Sequence, residues 1–179
     1  ESVFVGRGTG SLKDPRGTTI QLSSIGKLLT VYSPKGGVGK TTIATNLAVA
    51  LHSEETPVII VGGSLQFGDV AVFLNERSRN SVVDLTSIAD QLDPEVVEDV
   101  VIHHKNTGID VLSAPSHPED AEKISGPQLI KVLEFLKRMY SYVIVDTDSG
   151  LSDVTLDILD NSDLILLVSS QDIPAIIHT

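Results

Sequence analysis

The sequence predicts an α/β fold in three layers, with helices on both sides of a mostly parallel β-sheet. Three observations predict it. Short unbroken apolar runs, such as Val58-Ile59-Ile60-Val61 and Val143-Ile144-Val145, lack the alternation of a half-exposed strand and belong in a sheet buried on both faces. Segments with apolar residues at helical spacing separate these runs, which is the order of βαβ units. The chain has 179 residues, enough to bury one substantial core.

Residues 1–26 are rich in Gly, Ser and Thr, with Gly6-Arg7-Gly8-Thr9-Gly10 and Asp14-Pro15-Arg16-Gly17. Such composition reads as a linker or flexible arm. Within it, Val3-Phe4-Val5 and Thr19-Ile20-Gln21-Leu22 are candidates to pair as short strands. The domain is expected over 27–179. Leu28–Tyr32 is its first strand. Thr41–Ser53 carries Ile43, Leu47, Ala50 and Leu51 at helical spacing, and Val58–Val61 is the second strand. Ser81 can cap a helix over Val82–Ala89, and Asp93-Pro94 starts another that is expected to run to about His103. Ile109–Leu112 is a third strand. Pro127–Met139 is an amphipathic helix with Leu129, Val132, Leu133 and Leu136 on one face. Tyr142–Val145 and Leu164–Val168 are the last strands, with a helix over Val154–Leu159 between them. Residue 1 is Glu, and Gln171–Thr179 resembles the opening of a helix with Pro174 in its first turn. The sequence is therefore expected to be a fragment, truncated at the C-terminus of its domain.

Composition excludes several functions. Lys and Arg total 13 against 24 Asp and Glu, a formal net charge of −11. An acidic body lacks the broad cationic field that nonspecific binding to nucleic acid or anionic lipid requires. There is no Cys, which removes disulfides, thiolate zinc sites and a cysteine nucleophile. These residues carry no signal-peptide pattern and none is expected, and their longest apolar run, Leu164–Val168, is far too short to span a bilayer. The cytoplasm is the default location.

The strongest chemical signal is Lys35-Gly36-Gly37-Val38-Gly39-Lys40-Thr41-Thr42, directly after the first core strand and opening a helix. The glycines let the backbone turn tightly and aim consecutive N–H groups inward, and the helix N-terminus adds partial positive charge. Lys40 can reach β- and γ-phosphate oxygens, and Thr41 can offer its hydroxyl to Mg²⁺. A structural strand-to-helix turn would need glycine, but not two lysines bracketing the glycines with two threonines after them. The second signal is Val143-Ile144-Val145-Asp146, an apolar strand ending in Asp at the carboxyl edge of a parallel sheet. There Asp146 would hold Mg²⁺ directly or through water.

The loop departs from the general Walker A form by having Pro34 where the first Gly belongs. As it stands it resembles the deviant Walker A loop of the ParA/MinD superfamily, which implies a P-loop NTPase fold. The resemblance implies that Lys35 is the signature lysine, reaching the phosphates held by the other subunit of a nucleotide-sandwich homodimer. Read in the loop alone, Lys35 is equally a solvated lysine. Val61–Asn75, Ser81-Val82-Val83-Asp84-Leu85, Val111-Leu112-Ser113-Ala114-Pro115 and Asp172-Ile173-Pro174 further resemble the CpaE/TadZ factors of Flp (Tad) pilus assembly. This implies binding of ATP and ADP, pilus-assembly or polar-localisation partners, and recruitment to a cell pole or inner-membrane machine. Two other functions stay open: a non-catalytic dimeric scaffold, and a DNA-partitioning ATPase, which the charge disfavours.

The family resemblance also implies Asp-x-Asp after the second strand, where this chain has Gly62 and Ser64. Gly cannot ligate Mg²⁺ or accept a proton, and Ser is a poor base at neutral pH. Nucleotide binding is expected to survive and hydrolysis to be slow or absent. Asp69 is a candidate substitute carboxylate, with helix capping as the alternative, and Asp148 has no assigned role. His103-His104-Lys105 is expected to be a polar helix end rather than a metal site, since adjacent helical residues diverge. Glu119, Asp120 and Glu122 are expected to be solvated, and Ser152-Asp153 lacks the surroundings of a hydrolase nucleophile.

Overall fold

Each core strand of this chain sends alternate residues to opposite faces, so an unbroken apolar run requires cover on both sides. That is the arrangement in the computed structural model, which describes residues 11–13, 19–21, 25–65, 70–77 and 79–170. Near the start, β1 (Ser11–Lys13) and β2 (Thr19–Gln21) form an antiparallel pair with Leu12 opposite Ile20. The expected partner of Thr19–Gln21, Val3-Phe4-Val5, lies outside the described residues. Its observed partner is nearer in sequence, so the connection closes at lower entropic cost.

The main sheet is built from β3 (Lys27–Tyr32), β4 (Val58–Gly62), β5 (Ile102–His103), β6 (Asp110–Leu112), β7 (Tyr142–Asp146) and β8 (Leu164–Leu167). Its spatial order is β5-β6-β4-β7-β3-β8, parallel throughout except for β5. The helices are α1 (Lys40–Leu51), α2 (Val70–Phe73), α3 (Val82–Thr86), α4 (Pro94–Val100), α5 (Pro118–Ala121), α6 (Gly126–Met139) and α7 (Asp153–Asp160).

Alternation divides the core. Leu28, Ile59, Val61, Val143 and Val145 pack against Leu129, Val132, Leu133 and Leu136, the predicted face of α6. Leu29, Val31, Ile60 and Ile144 turn the other way, against Ala44 and Ala48 of α1. The face α1 buries therefore differs from expectation: Ala44, Thr45 and Ala48 are buried, while Ile43 and Ala50 are exposed. Small residues let a helix that starts directly from the strand–loop turn lie close to the sheet. The cover is incomplete at β8, where Leu164, Ile165 and Leu167 are exposed among the described residues.

Three local differences have physical causes. The helix opened by Asp93-Pro94, whose Asp93 side chain accepts from the Val96 amide at 2.9 Å, ends at Val100. The β-branched pair Val101-Ile102 turns extended, and Ile102-His103 pairs antiparallel with β6. His103 is thus in an edge strand, not at a helix end, with Nδ1 2.8 Å from Asp110 Oδ1. α3 stops at Thr86 and continues as turns, capped by Ser81, whose Oγ accepts from the Val83 amide. The one-turn helices α2 and α5 are too short to show a period in the sequence. From α5, Asp120 meets Lys123, just past the helix end, at 2.6 Å in a solvated ion pair.

Candidate nucleotide-binding site

The two central strands bring the sequence signals together. β3 and β7 are parallel neighbours with Val31 opposite Asp146, so the loop after β3 and the carboxylate ending β7 share one edge. Thr147 fixes this edge: its amide and its Oγ1 both donate to the Val31 carbonyl, at 3.3 and 2.9 Å. The loop leads from Ser33 into α1. Gly37 and Gly39 have φ of 73° and 93°, which residues with a Cβ rarely adopt, and Gly39 is the residue from which α1 starts.

A cleft of about 890 Å³ opens at this edge, within the range of sites for cofactor-sized ligands. Gly37, Gly39, Lys40, Thr41 and Thr42 line it, joined by Asp146 from β7. Lys35, Gly36 and Val38 are not among its lining residues. Lys35 Nζ instead donates to Ser170 Oγ at 3.4 Å, beyond the end of β8. Lys40 Nζ donates to Ser149 Oγ at 2.8 Å.

Thr41 Oγ1 donates to Asp146 Oδ2 at 2.6 Å. The other oxygen, Asp146 Oδ1, is buried with no hydrogen-bond partner. Burial pushes the Asp146 carboxyl above its ordinary range, opposed by the Thr41 hydrogen bond and the Lys40 charge. A buried carboxylate with an unpaired oxygen is costly. Beside a threonine hydroxyl and a lysine, these oxygen donors suit a hard cation that accompanies phosphates. Among the described residues there is no His, Cys, Asp and Glu cluster of the kind that would hold a metal by itself.

The family to which these parts belong is decided by comparison. A family model described as an AAA domain (AAA_31) matches residues 26–176. This chain belongs to that family, among the ParA/MinD-type P-loop ATPases. An uncharacterized ATP-binding protein of Methanocaldococcus jannaschii is 31% identical over 151 residues, covering 84% of this chain and 55% of the relative. A ParA family ATPase from Chlorobium tepidum superposes with a TM-score of 0.79 at 25% identity, over 85% of this chain and 64% of that one. The septum site-determining protein MinD of Pyrococcus horikoshii, solved with Mg-ADP, gives 0.73 at 25% identity, over 86% and 61%. The fold is therefore the P-loop NTPase α/β fold with a six-stranded, mostly parallel sheet. The chain spans about half the length of the curated relatives it matches.

At the end of β4 the ParA/MinD-like chain is closely packed. A Cβ on Gly62 would stand 2.7 Å from the Ala114 nitrogen and 3.3 Å from its Cα. The Gly63 amide donates to the Asp146 carbonyl at 2.9 Å, and buried Ser64 lines the cleft. Asp69 lies outside the described residues. Sequence reasoning missed Thr147 and Ser149, and it missed the exposed Val72 and Phe73 that wall the cleft from α2. The small polar run Thr147-Asp148-Ser149-Gly150 after the strand-ending Asp was the available signal for the first two. Ser152 is a helix cap, its Oγ accepting from the Thr155 amide at 3.2 Å.

Proposed function

We propose that this chain is an ATP-dependent, self-associating switch that binds ATP and ADP with Mg²⁺ and hydrolyses ATP slowly. The observation that carries the reading is the Thr41–Asp146 pair at the head of the glycine loop, 2.6 Å apart, with Asp146 Oδ1 left unpaired. The amides of residues 36–42 and the Lys40 ammonium hold the phosphates. Thr41 and Asp146 would hold Mg²⁺, which when bound neutralises phosphate charge. Lys35 is placed outside the cleft of its own subunit, which supports a role toward the nucleotide of a second copy. Slow turnover follows from Gly62 and Ser64, which present no carboxylate at the end of β4. The Val61–Asn75 resemblance supports a pilus-assembly or polar-localisation role with protein partners of that machine. The net charge of −11 weighs against DNA partitioning.

A non-catalytic scaffold is the second reading, favoured by the tight packing of Gly62 on Ala114. Calorimetry with ATP and ADP, with and without Mg²⁺, combined with light scattering, separates the two. The switch predicts Mg²⁺-assisted binding and ATP-induced dimers, and Lys35→Ala is expected to keep binding but lose the ATP-induced dimer. Dimers that form equally without nucleotide would favour the scaffold. Absence of binding under all conditions would end the switch reading.

A further inference from the structure

We propose that Asp148 supplies the carboxylate that the end of β4 lacks, accepting a hydrogen bond from the water that attacks the γ-phosphate. The inference rests on the nucleotide reading above. Among the described residues lining the cleft, only Asp146 and Asp148 carry carboxylates. Asp146 is committed through Oδ2 to Thr41 and has its other oxygen buried. Ser64 offers a hydroxyl and Gly62 no side chain.

Asp148 is differently placed. It is half-buried and lines the cleft. Its Oδ1 accepts from the Gly150 amide at 2.9 Å and, more loosely, from Thr155 Oγ1 at 3.5 Å. The loop backbone and the first turn of α7 therefore fix its orientation. No hydrogen bond from a described residue engages Oδ2, so that oxygen can serve water. Its negative charge is felt by the Tyr32 phenol, which burial first and Asp148 second push upward. The neighbours set its position. Thr147 is tied to the β3 carbonyl of Val31, and Ser149 Oγ lies 2.8 Å from Lys40 Nζ. Lys40 is the group that reaches the β- and γ-phosphates. The loop that carries Asp148 is thus tied to β3 on one side and to Lys40 on the other.

In the step, the water oxygen forms a bond to the γ-phosphorus and the bond to the β–γ bridging oxygen breaks. ADP leaves with that electron pair. One water hydrogen remains on the phosphate formed and the other is released to solvent. Asp148 orients the water and forms no covalent bond. A carboxylate near the γ-phosphate does not favour ground-state ATP binding, so its effect falls on the rate.

The test uses the full chain and Asp148→Asn, which keeps an acceptor for the Gly150 amide. Single-turnover hydrolysis with Mg²⁺ is measured beside calorimetric affinities for ATP, ADP and ADP with aluminium fluoride. The expected result is a loss of rate on the order of a hundredfold. ATP and ADP affinities stay within about twofold, and affinity for the aluminium fluoride complex falls with the rate. A rate within about threefold of the parent overturns the inference, as does parallel loss of ADP binding, which marks a structural role. ATP binding by the parent without hydrolysis above background also overturns it, leaving the nucleotide reading intact. Failure of the parent to bind ATP or ADP overturns both.

Discussion

Replacing Asp146 by Asn is expected to stabilise the metal-free protein at neutral pH and to remove its response to Mg²⁺. Asp146 is 2% exposed, and only one of its carboxylate oxygens has a partner. Leaving the other buried and unpaired costs about 1–3 kcal/mol. The Thr41 bond at 2.6 Å is charge-assisted and returns part of this; in the Asn variant it persists as a neutral bond weaker by about 1 kcal/mol. The Asn amide nitrogen would take the place of Oδ1 and be buried without a partner too, so the gain comes from removing the buried charge; each kcal/mol of it would read as roughly 2–4 °C in Tm for a chain of this size. The pH dependence has a definite sign. The folded-state pKa is raised, so the native state binds the Asp146 proton more tightly than the unfolded state does. Stability therefore falls as pH rises from the ordinary carboxylate value through the raised one. The advantage of the Asn variant is full above that window and vanishes at lower pH, where the parent is protonated too. Urea denaturation across pH in a chelator, repeated with Mg²⁺ and ADP, reads both effects. An Asn variant no more stable than the parent at neutral pH, or one that Mg²⁺ with ADP still stabilises equally, would refute the reasoning.

Two substitutions probe the backbone of the site. Gly39→Ala places a Cβ at φ 93°, and is expected to cost about 1–3 kcal/mol in chemical denaturation while lowering calorimetric ATP affinity, because the amides would no longer converge. Gly62→Asp, made alone or with Ser64→Asp, forces a Cβ to within 2.7 Å of the Ala114 nitrogen; it is expected to destabilise by about 1–3 kcal/mol and to give no gain in hydrolysis. A faster, equally stable Gly62→Asp protein would show that the Ser113-Ala114 backbone yields freely.

The long elements were legible because a repeating requirement writes them. The 14-residue α6 shows its buried face in Leu129, Val132, Leu133 and Leu136, and the core strands show theirs as unbroken Val and Ile. Short pieces carry no such repeat. The two-residue β5 exists because β6 offers it a free edge, which the sequence around His103 cannot announce. α1 misled for a related reason: Ile43 and Ala50 share its apolar spacing, but the distance to the sheet selected Ala44 and Ala48 for burial.

The glycine loop after β3 was readable in the sequence because its signal is local. Gly37, Gly39, Lys40 and Thr41 are close in sequence, and glycine torsions, amide direction and helix start all follow from that run. The partners of those residues were decided by tertiary structure. Thr41 meets Asp146 across 105 positions and Lys40 meets Ser149 across 109, contacts fixed by the sheet order that sets β3 beside β7. The same packing closes Ala114 over Gly62 and puts Asp148 in the lining of the cleft. Local runs specify torsions and hydrogen-bonding capacity, but which distant groups share a low-dielectric cleft depends on how the whole sheet folds.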